Sequence, residues 1–67
     1  MTVYFFRDMR SYQARFNAQN SHNGMLPVTV EEIDLGAVIS THTVEVPMHA
    51  TRLFRELVDA ILAAVQQ

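Results

Sequence analysis

Residues 47–67, PMHATRLFRELVDAILAAVQQ, contain the strongest secondary-structure signal in the chain. Pro47 suits the first turn of a helix, because that position needs no backbone N–H. The residues after it are rich in Ala, Leu, Arg and Glu and include no glycine or further proline. At about 100° per residue, the large apolar side chains fall within roughly half of the helix circumference and the charged ones fall on the other half. This pattern predicts one long amphipathic C-terminal helix.

The apolar face of this helix is wider than packing on one small sheet requires, which is a stripe of only about 100°. A chain of 67 residues without cysteine also has no disulfide to stabilise a small core. We therefore expect a homodimer in which the helix contacts the same helix of a second copy. The expected dimer interface consists of Phe54, Val58, Ile61, Leu62 and Val65.

Extended segments precede the helix. Residues 40–47, STHTVEVP, are rich in β-branched side chains, and Pro47 biases the residue before it toward extended geometry. Residues 12–18, YQARFNA, alternate between apolar and polar as a half-buried strand does, and residues 28–35, VTVEEIDL, are of extended type. The sequence predicts a small α+β domain spanning residues 1–67, in which an antiparallel β-meander of two to four strands precedes the helix.

Asn23-Gly24 is the strongest short hairpin signal in the chain, because a two-residue turn with positive φ at both positions favours this pair. Such a turn predicts the register of the flanking strands, with two cross-strand pairs, Arg15 with Glu32 and Ala14 with Ile33. Pro27 could add a bulge and shift that register.

Two helical alternatives stay open. Residues 8–19 also fit a short helix, with Asp8 as its N-cap and three apolar side chains on one side. Thr29 followed by Glu32 could be a capping box that opens a helix through residues 30–39. We favour a strand in both segments.

Residues 4–16, YFFRDMRSYQARF, combine five aromatic side chains with three arginines. Proteins that bind single-stranded nucleic acid place aromatic side chains on one sheet face beside arginines, because bases stack on them. Here Phe5 and Phe6 are adjacent, so on a strand they point to opposite faces. We therefore expect these rings to serve mainly as core.

The charged residues argue against general binding to nucleic acid. The formal net charge is −2, and affinity for phosphate comes mainly from a basic surface. Residues 1–27 carry three arginines against one aspartate, residues 28–47 carry four carboxylates and no arginine, and residues 48–67 carry two of each sign. All five basic residues are arginine.

No catalytic, cofactor or metal signature stands out. His42, Glu45 and His49 have a spacing that fits no helical zinc motif. The serines lie in no nucleophile-elbow context, and there is no glycine-rich phosphate loop. A fold this small rarely builds a catalytic pocket alone. We expect a protein that is not an enzyme and that has no cofactor and no metal site.

The expected location is the cytoplasm. The N-terminal residues lack the basic start of a signal peptide. The longest apolar run, AILAAV at residues 60–65, is far too short to span a membrane. We therefore expect no membrane association.

By elimination, the sequence favours a non-enzymatic protein–protein interaction module. It would act as a small inhibitor, adaptor or accessory protein that occupies a surface of a larger bacterial or phage-related partner. Exposed aromatics and arginines would anchor the partner, and carboxylates would steer its approach. The predicted partner-binding residues are Tyr4, Arg7, Arg10, Tyr12, Glu31, Glu32 and Asp34.

Two other functions are kept as alternatives. One is a small nucleic-acid-binding regulator, in which Arg7, Arg10 and Arg15 line one face of a dimer. The other is a structural subunit of a larger assembly. A steep loss of affinity with added salt would favour the first alternative over the interaction module.

Overall fold

A four-stranded antiparallel sheet and one α-helix form the fold of residues 1–66, the part of the chain that the computed structural model describes. The strands lie in the order β1-β2-β3-β4. The predicted α+β arrangement, a β-meander followed by one C-terminal helix, is confirmed. The elements are β1 (Thr2–Arg7), β2 (Arg10–Arg15), β3 (Met25–Asp34), β4 (Ala37–Pro47) and α1 (Phe54–Val65), with 3-10 turns at Ala18–Asn20 and Met48–Arg52.

Both segments that could also have been helices contain strands. Within residues 8–19 lies β2, and residues 30–39 contain the end of β3 and the start of β4. Cross-strand pairing decides both cases: β2 pairs with β1 on one side and β3 on the other, and residues 30–34 of β3 pair with residues 37–42 of β4.

The helix begins later than the prediction placed it. Pro47 is the last residue of β4, and Met48–Arg52 form a 3-10 turn in which the Thr51 hydroxyl donates to the Met48 carbonyl at 2.7 Å. Leu53 has extended backbone angles, φ −127° and ψ 137°, so α1 starts only at Phe54.

The core lies between α1 and one face of the sheet, which we call the inner face. Alternate strand residues point to it, and α1 adds the apolar residues of its middle turns. Full burial of each large aliphatic side chain contributes about 1.5–3 kcal/mol to stability. The buried core residues are Phe5, Ala14, Leu26, Val28, Val30, Val46, Leu57, Val58 and Ile61. The one α-helix of residues 1–66, α1, packs on the inner face, so the opposite, outer face of the sheet carries no α-helix.

The predicted Asn23-Gly24 turn forms. Both residues have positive φ, 53° and 76°, and the turn is closed by two backbone hydrogen bonds between His22 and Met25. The chain leaves the ladder immediately before it, in the 3-10 turn Ala18–Asn20, where the Asn17 side chain accepts from the amide of Gln19.

The predicted register between β2 and β3 is wrong. The 3-10 turn Ala18–Asn20 adds residues between β2 and the Asn23-Gly24 turn, and no matching residues are added between that turn and β3. The observed partners are Arg15 with Thr29 and Ala14 with Val30, three positions from the prediction. An odd shift exchanges the two faces of a strand. It is therefore Val30, and not Ile33, that faces the core beside Ala14.

Two further tight turns join the strands, at residues 8–9 and 35–36, and both have positive φ at each central position. Asn and Gly tolerate this left-handed region, whereas Leu does not. Leu35 has φ 51°, so its backbone is strained, and its side chain is almost fully exposed, so it gains no apolar burial.

We expect Leu35→Asn to raise the free energy of unfolding by about 1 kcal/mol, since the substitution relieves the left-handed strain. For a domain of this size the melting temperature should rise by roughly 4–8 °C. Thermal unfolding followed by circular dichroism measures the change. Leu35→Ala is the control, because it removes the exposed side chain but keeps the strain. An equal rise in both variants would show that exposure, and not the backbone, is the cause.

Candidate functional site

A cleft of about 320 Å³ opens beside β1. It is lined by four consecutive residues of this strand, residues 4–7, and by Phe54, Arg55 and Val58 of α1. Consecutive side chains of a strand point to opposite faces, so a cleft lined by four in a row must follow the edge of the strand. β1 is an edge strand of the sheet.

Exposed aromatic rings surround this cleft. Tyr4 and Phe6 project from the outer face and are 66% and 65% exposed, while Phe54 at the start of α1 is 57% exposed. Beneath them, Phe5 and Val58 belong to the buried core. The cleft therefore joins a rigid apolar base to exposed rings, and clustered exposed apolar surface of this kind marks interaction sites.

Two arginines give the cleft a positive character. Arg7 contacts Asp59 of α1, with 3.2 Å between the guanidinium and a carboxylate oxygen, but both side chains are about half exposed. Such a pair contributes only about 0–1 kcal/mol and competes weakly with another anion. Within residues 1–66, Arg55 has no carboxylate at ion-pair distance. Arg55 is therefore available to an acidic group on a partner.

The backbone of β1 is unpaired on the side that faces the cleft. Met1 and Phe16 exchange two hydrogen bonds, of 2.6 Å and 2.9 Å, at the start of the β1–β2 pair. Such pairs alternate along an antiparallel ladder, so Val3 and the other odd-numbered residues of β1 bond to β2. The N–H and C=O groups of Tyr4 and Phe6 point away from β2, toward the open edge.

The other edge of the sheet differs from β1. Strand β4 carries Glu45 and ends at Pro47, and charged residues and proline are features that protect an edge from pairing. Strand β1 carries a charge only at its last residue, Arg7, and residues 37–44 of β4 likewise contain no Asp, Glu, Lys, Arg or Pro. The cleft beside β1, more than the composition of this strand, therefore favours the β1 edge as the template for an added strand.

Four of the predicted partner-binding residues come from β1 and β2, and the structure separates them. Tyr4 and Arg7 line the cleft. Arg10 lies at the start of β2 beside Glu32, with 3.9 Å between the guanidinium and a carboxylate oxygen. Tyr12 stacks on Phe5 with ring centroids 5.0 Å apart and is packed against the core, which leaves little of its ring to a partner.

The predicted acidic residues do not form one surface. Glu31 points to the outer face, where it pairs with Arg15 at 3.1 Å and accepts from the Gln13 amide at 3.4 Å. Glu32 follows it and points to the opposite face. Asp34 is exposed at the end of β3. Two of the three carboxylates therefore already have arginine partners within the chain.

The predicted dimer residues also have different environments. Val58 and Ile61 are 3% and 0% exposed in the core, where a second copy cannot reach them in this arrangement. Leu62 and Val65 are half-buried beside the core, and Phe54 lines the cleft. The homodimer stays a prediction. Only Phe54, Leu62 and Val65 retain apolar surface that could contribute to it.

Sequence reasoning missed the role of Phe6, Phe54 and Arg55 in a common cleft. It assigned Phe54 to a dimer and gave no site role to the other two. No local pattern joins β1 to the first turn of α1, because the two are separated by about fifty residues of chain. The adjacency of Phe5 and Phe6 was the one available signal, since one ring of such a pair must leave the core.

The other side chains and the comparisons point to no other site. Within residues 1–66, no three His, Asp or Glu side chains gather as potential metal ligands. No helix in this range combines the length and the apolar character needed to cross a bilayer. Comparison of the chain with protein-family models, curated proteins and solved structures gave no significant match. Function is therefore best inferred from the cleft.

Proposed function

We propose that this protein is a non-enzymatic protein–protein interaction module, and that the cleft beside β1 is its binding surface. It would act as a small inhibitor, adaptor or accessory protein by occupying a surface of a larger protein. The observation that carries the proposal is the cluster of exposed rings, Tyr4, Phe6 and Phe54, around a cleft with a buried apolar base. Aromatic and arginine side chains around a desolvated pocket are the residues that dominate binding energy at protein interfaces.

The arrangement of the arginines supports a protein partner over nucleic acid. Arg7, Arg10 and Arg15, the residues of the nucleic-acid alternative, contact Asp59, Glu32 and Glu31 respectively. Each of the three therefore has a carboxylate beside it, which lowers the local positive potential on which phosphate binding depends, and the net charge of the chain is −2. The nucleic-acid alternative therefore has less support than the interaction module.

The test is capture from a lysate of the source organism with the tagged full chain as bait, with and without nuclease. We expect one protein at stoichiometric yield, insensitive to nuclease. The double variant Tyr4→Ala, Phe6→Ala should lose it, because both rings rim the cleft. The matched double variant Thr41→Ala, Thr43→Ala changes two exposed residues of β4 and should retain it.

Two results would contradict the proposal. Recovery that disappears with nuclease would mean that nucleic acid mediates the contact and would favour phosphate binding by the arginines. Equal recovery with both double variants would show that the partner binds elsewhere on the protein. Circular dichroism of each variant establishes beforehand that it is folded.

A further inference from the structure

We infer that the partner binds as an extended segment that adds to β1 as a fifth strand, with an acidic side chain placed on Arg55. This inference rests on the proposed function and specifies its binding mode and its ligand class. The ligand is a peptide segment of a protein, with apolar, β-branched or aromatic side chains at consecutive positions and at least one carboxylate.

The open edge of β1 has main-chain groups that an added strand could bond. The N–H and C=O groups of Tyr4 and Phe6 point toward the cleft and have no strand partner within residues 1–66. An added strand would lie about 4.7–4.9 Å from β1 and would satisfy these groups with main-chain hydrogen bonds. This is how sheet edges bind peptides, and the main chain provides affinity without demanding a particular sequence.

The side chains of an added strand would contact the protein on both sides of that strand. An added strand presents every second side chain to the outer face, beside Tyr4 and Phe6, and the others to the side of α1, beside Phe54 and Val58. Both sides of the added strand would meet apolar surface. The segment should therefore be apolar at consecutive positions over the cleft, with β-branched or aromatic residues that suit a strand.

The arginines that line the cleft favour an acidic side chain on the added strand. Arg55 lines the cleft and has no carboxylate partner within residues 1–66. Arg7, which also lines the cleft, is paired only with the exposed Asp59. A carboxylate on the added strand would neutralise this excess, and an arginine offers it a two-pronged hydrogen bond. A basic segment would meet repulsion at the same place.

The same charges argue against a second copy of this chain as the occupant. Two β1 strands paired edge to edge would bring TVYFFR against TVYFFR, which contains an arginine and no carboxylate. Each cleft would keep its excess positive charge, and the two copies would repel each other. A partner segment of opposite charge has no such cost.

The experiment uses phage-displayed random dodecapeptides selected on the immobilised full chain. We expect enriched sequences that have consecutive apolar, β-branched or aromatic residues and contain Asp or Glu. The most enriched sequence, synthesised with a fluorescein label, is then titrated by fluorescence anisotropy. A selection that enriches no peptide, or only basic ones, overturns the inference. A doubling of the mass of the peptide-free chain in light scattering, abolished by Phe6→Glu, would assign the edge to a second copy and also overturn it.

Main-chain hydrogen bonding of the peptide to β1 is tested by comparing the variants Tyr4→Pro and Tyr4→Ala. Both remove the ring, but only proline removes the N–H that points to the cleft, and an edge position tolerates it. We expect the proline variant to bind the peptide at least tenfold more weakly than the alanine variant, and equal affinity would overturn strand addition. If Tyr4→Pro fails to fold, the chain synthesised chemically with an N-methylated Tyr4 amide keeps the ring and should show the same loss against the unmodified chain.

The charge step is tested by Arg55→Glu against Arg52→Glu, which make the same change in net charge. Only Arg55 lines the cleft, so Arg55→Glu should weaken the acidic peptide about tenfold or more, and a peptide with Lys in place of the acid should recover binding to it. Equal weakening by both variants would reduce the effect to long-range charge and overturn the assignment of Arg55.

Failure of strand addition is distinguishable from failure of the proposed function. If the lysate partner depends on Tyr4 and Phe6 but tolerates loss of the Tyr4 N–H, the cleft binds a folded surface through side chains alone. Strand addition is then overturned and the interaction module stands. If no protein depends on the two rings, the proposed function is overturned as well.

Discussion

Ile61→Glu should lower the free energy of unfolding by at least about 4 kcal/mol, a large part of the total stability of this domain. Ile61 is fully buried between α1 and the inner face of the sheet, so the new carboxylate would lose its water without gaining a partner. An unpaired buried charge of this kind belongs to the substitutions that cost more than 4–5 kcal/mol. A domain of 67 residues has a total stability of roughly 3–10 kcal/mol. Far-ultraviolet circular dichroism and a thermal scan measure the result.

Phe54→Glu is the matched control for this prediction. It introduces the same charge on the same helix, two turns earlier, at a side chain that is more than half exposed. We expect this variant to stay folded, with a stability within about 0.5 kcal/mol of the parent chain, as for other exposed positions. An Ile61→Glu variant about as stable as the parent chain, or an unfolded Phe54→Glu variant, would contradict the packing of α1 on the sheet.

The pattern of the helix could not separate these two residues. They are seven positions apart, which is almost two full turns, so periodicity places them on the same side. What separates them is the sheet beneath: Ile61 lies over the core, whereas Phe54 lies at the start of α1 beside the edge of β1. Part of the apolar width that predicted a dimer is therefore used inside the chain.

The architecture was predictable because its signals are local. Alternation in β3, β-branched composition in β4 and a helical period in α1 each arise within one element. The Asn23-Gly24 turn likewise needs only its own two residues. The tight turn at residues 35–36 also carries a glycine, but its first position holds Leu35, which the rules of turn chemistry disfavour.

The register of β2 was not predictable from the same signals. The predicted pair of Arg15 with Glu32 is wrong: Arg15 lies opposite Thr29 and contacts Glu31 instead. The count was wrong because the 3-10 turn Ala18–Asn20 inserts residues on one side only. Such a turn has no strong sequence marker beyond Asn17, whose side chain caps it. A counting argument across a hairpin therefore fails when one arm contains a short excursion.

Only some of the residues that line the cleft were predictable from the sequence as partner-binding residues. Tyr4 and Arg7 were expected to bind a partner because exposed aromatics and arginines do so in general. Their neighbours across the cleft, Phe54 and Arg55, come from the far end of the chain, and only the packing of α1 brings them to β1. A site formed by an edge strand and a helix that follows three strands later depends on tertiary structure, which no single stretch of sequence records.

Phe54→Glu should also abolish binding of the partner while Leu53→Glu does not, and this pair of variants gives the largest functional contrast that we expect. The two residues are adjacent, apolar and about equally exposed, but only Phe54 lines the cleft. An aromatic anchor in such a pocket contributes at least about 2 kcal/mol, and a charge in its place adds desolvation cost. The affinity should therefore fall at least 100-fold, about 2.7 kcal/mol. Titration of the purified partner by isothermal calorimetry measures it. Since the charge is the same and the exposure nearly equal in both variants, an equal loss in both would mean that the partner contacts the start of the helix and not the cleft.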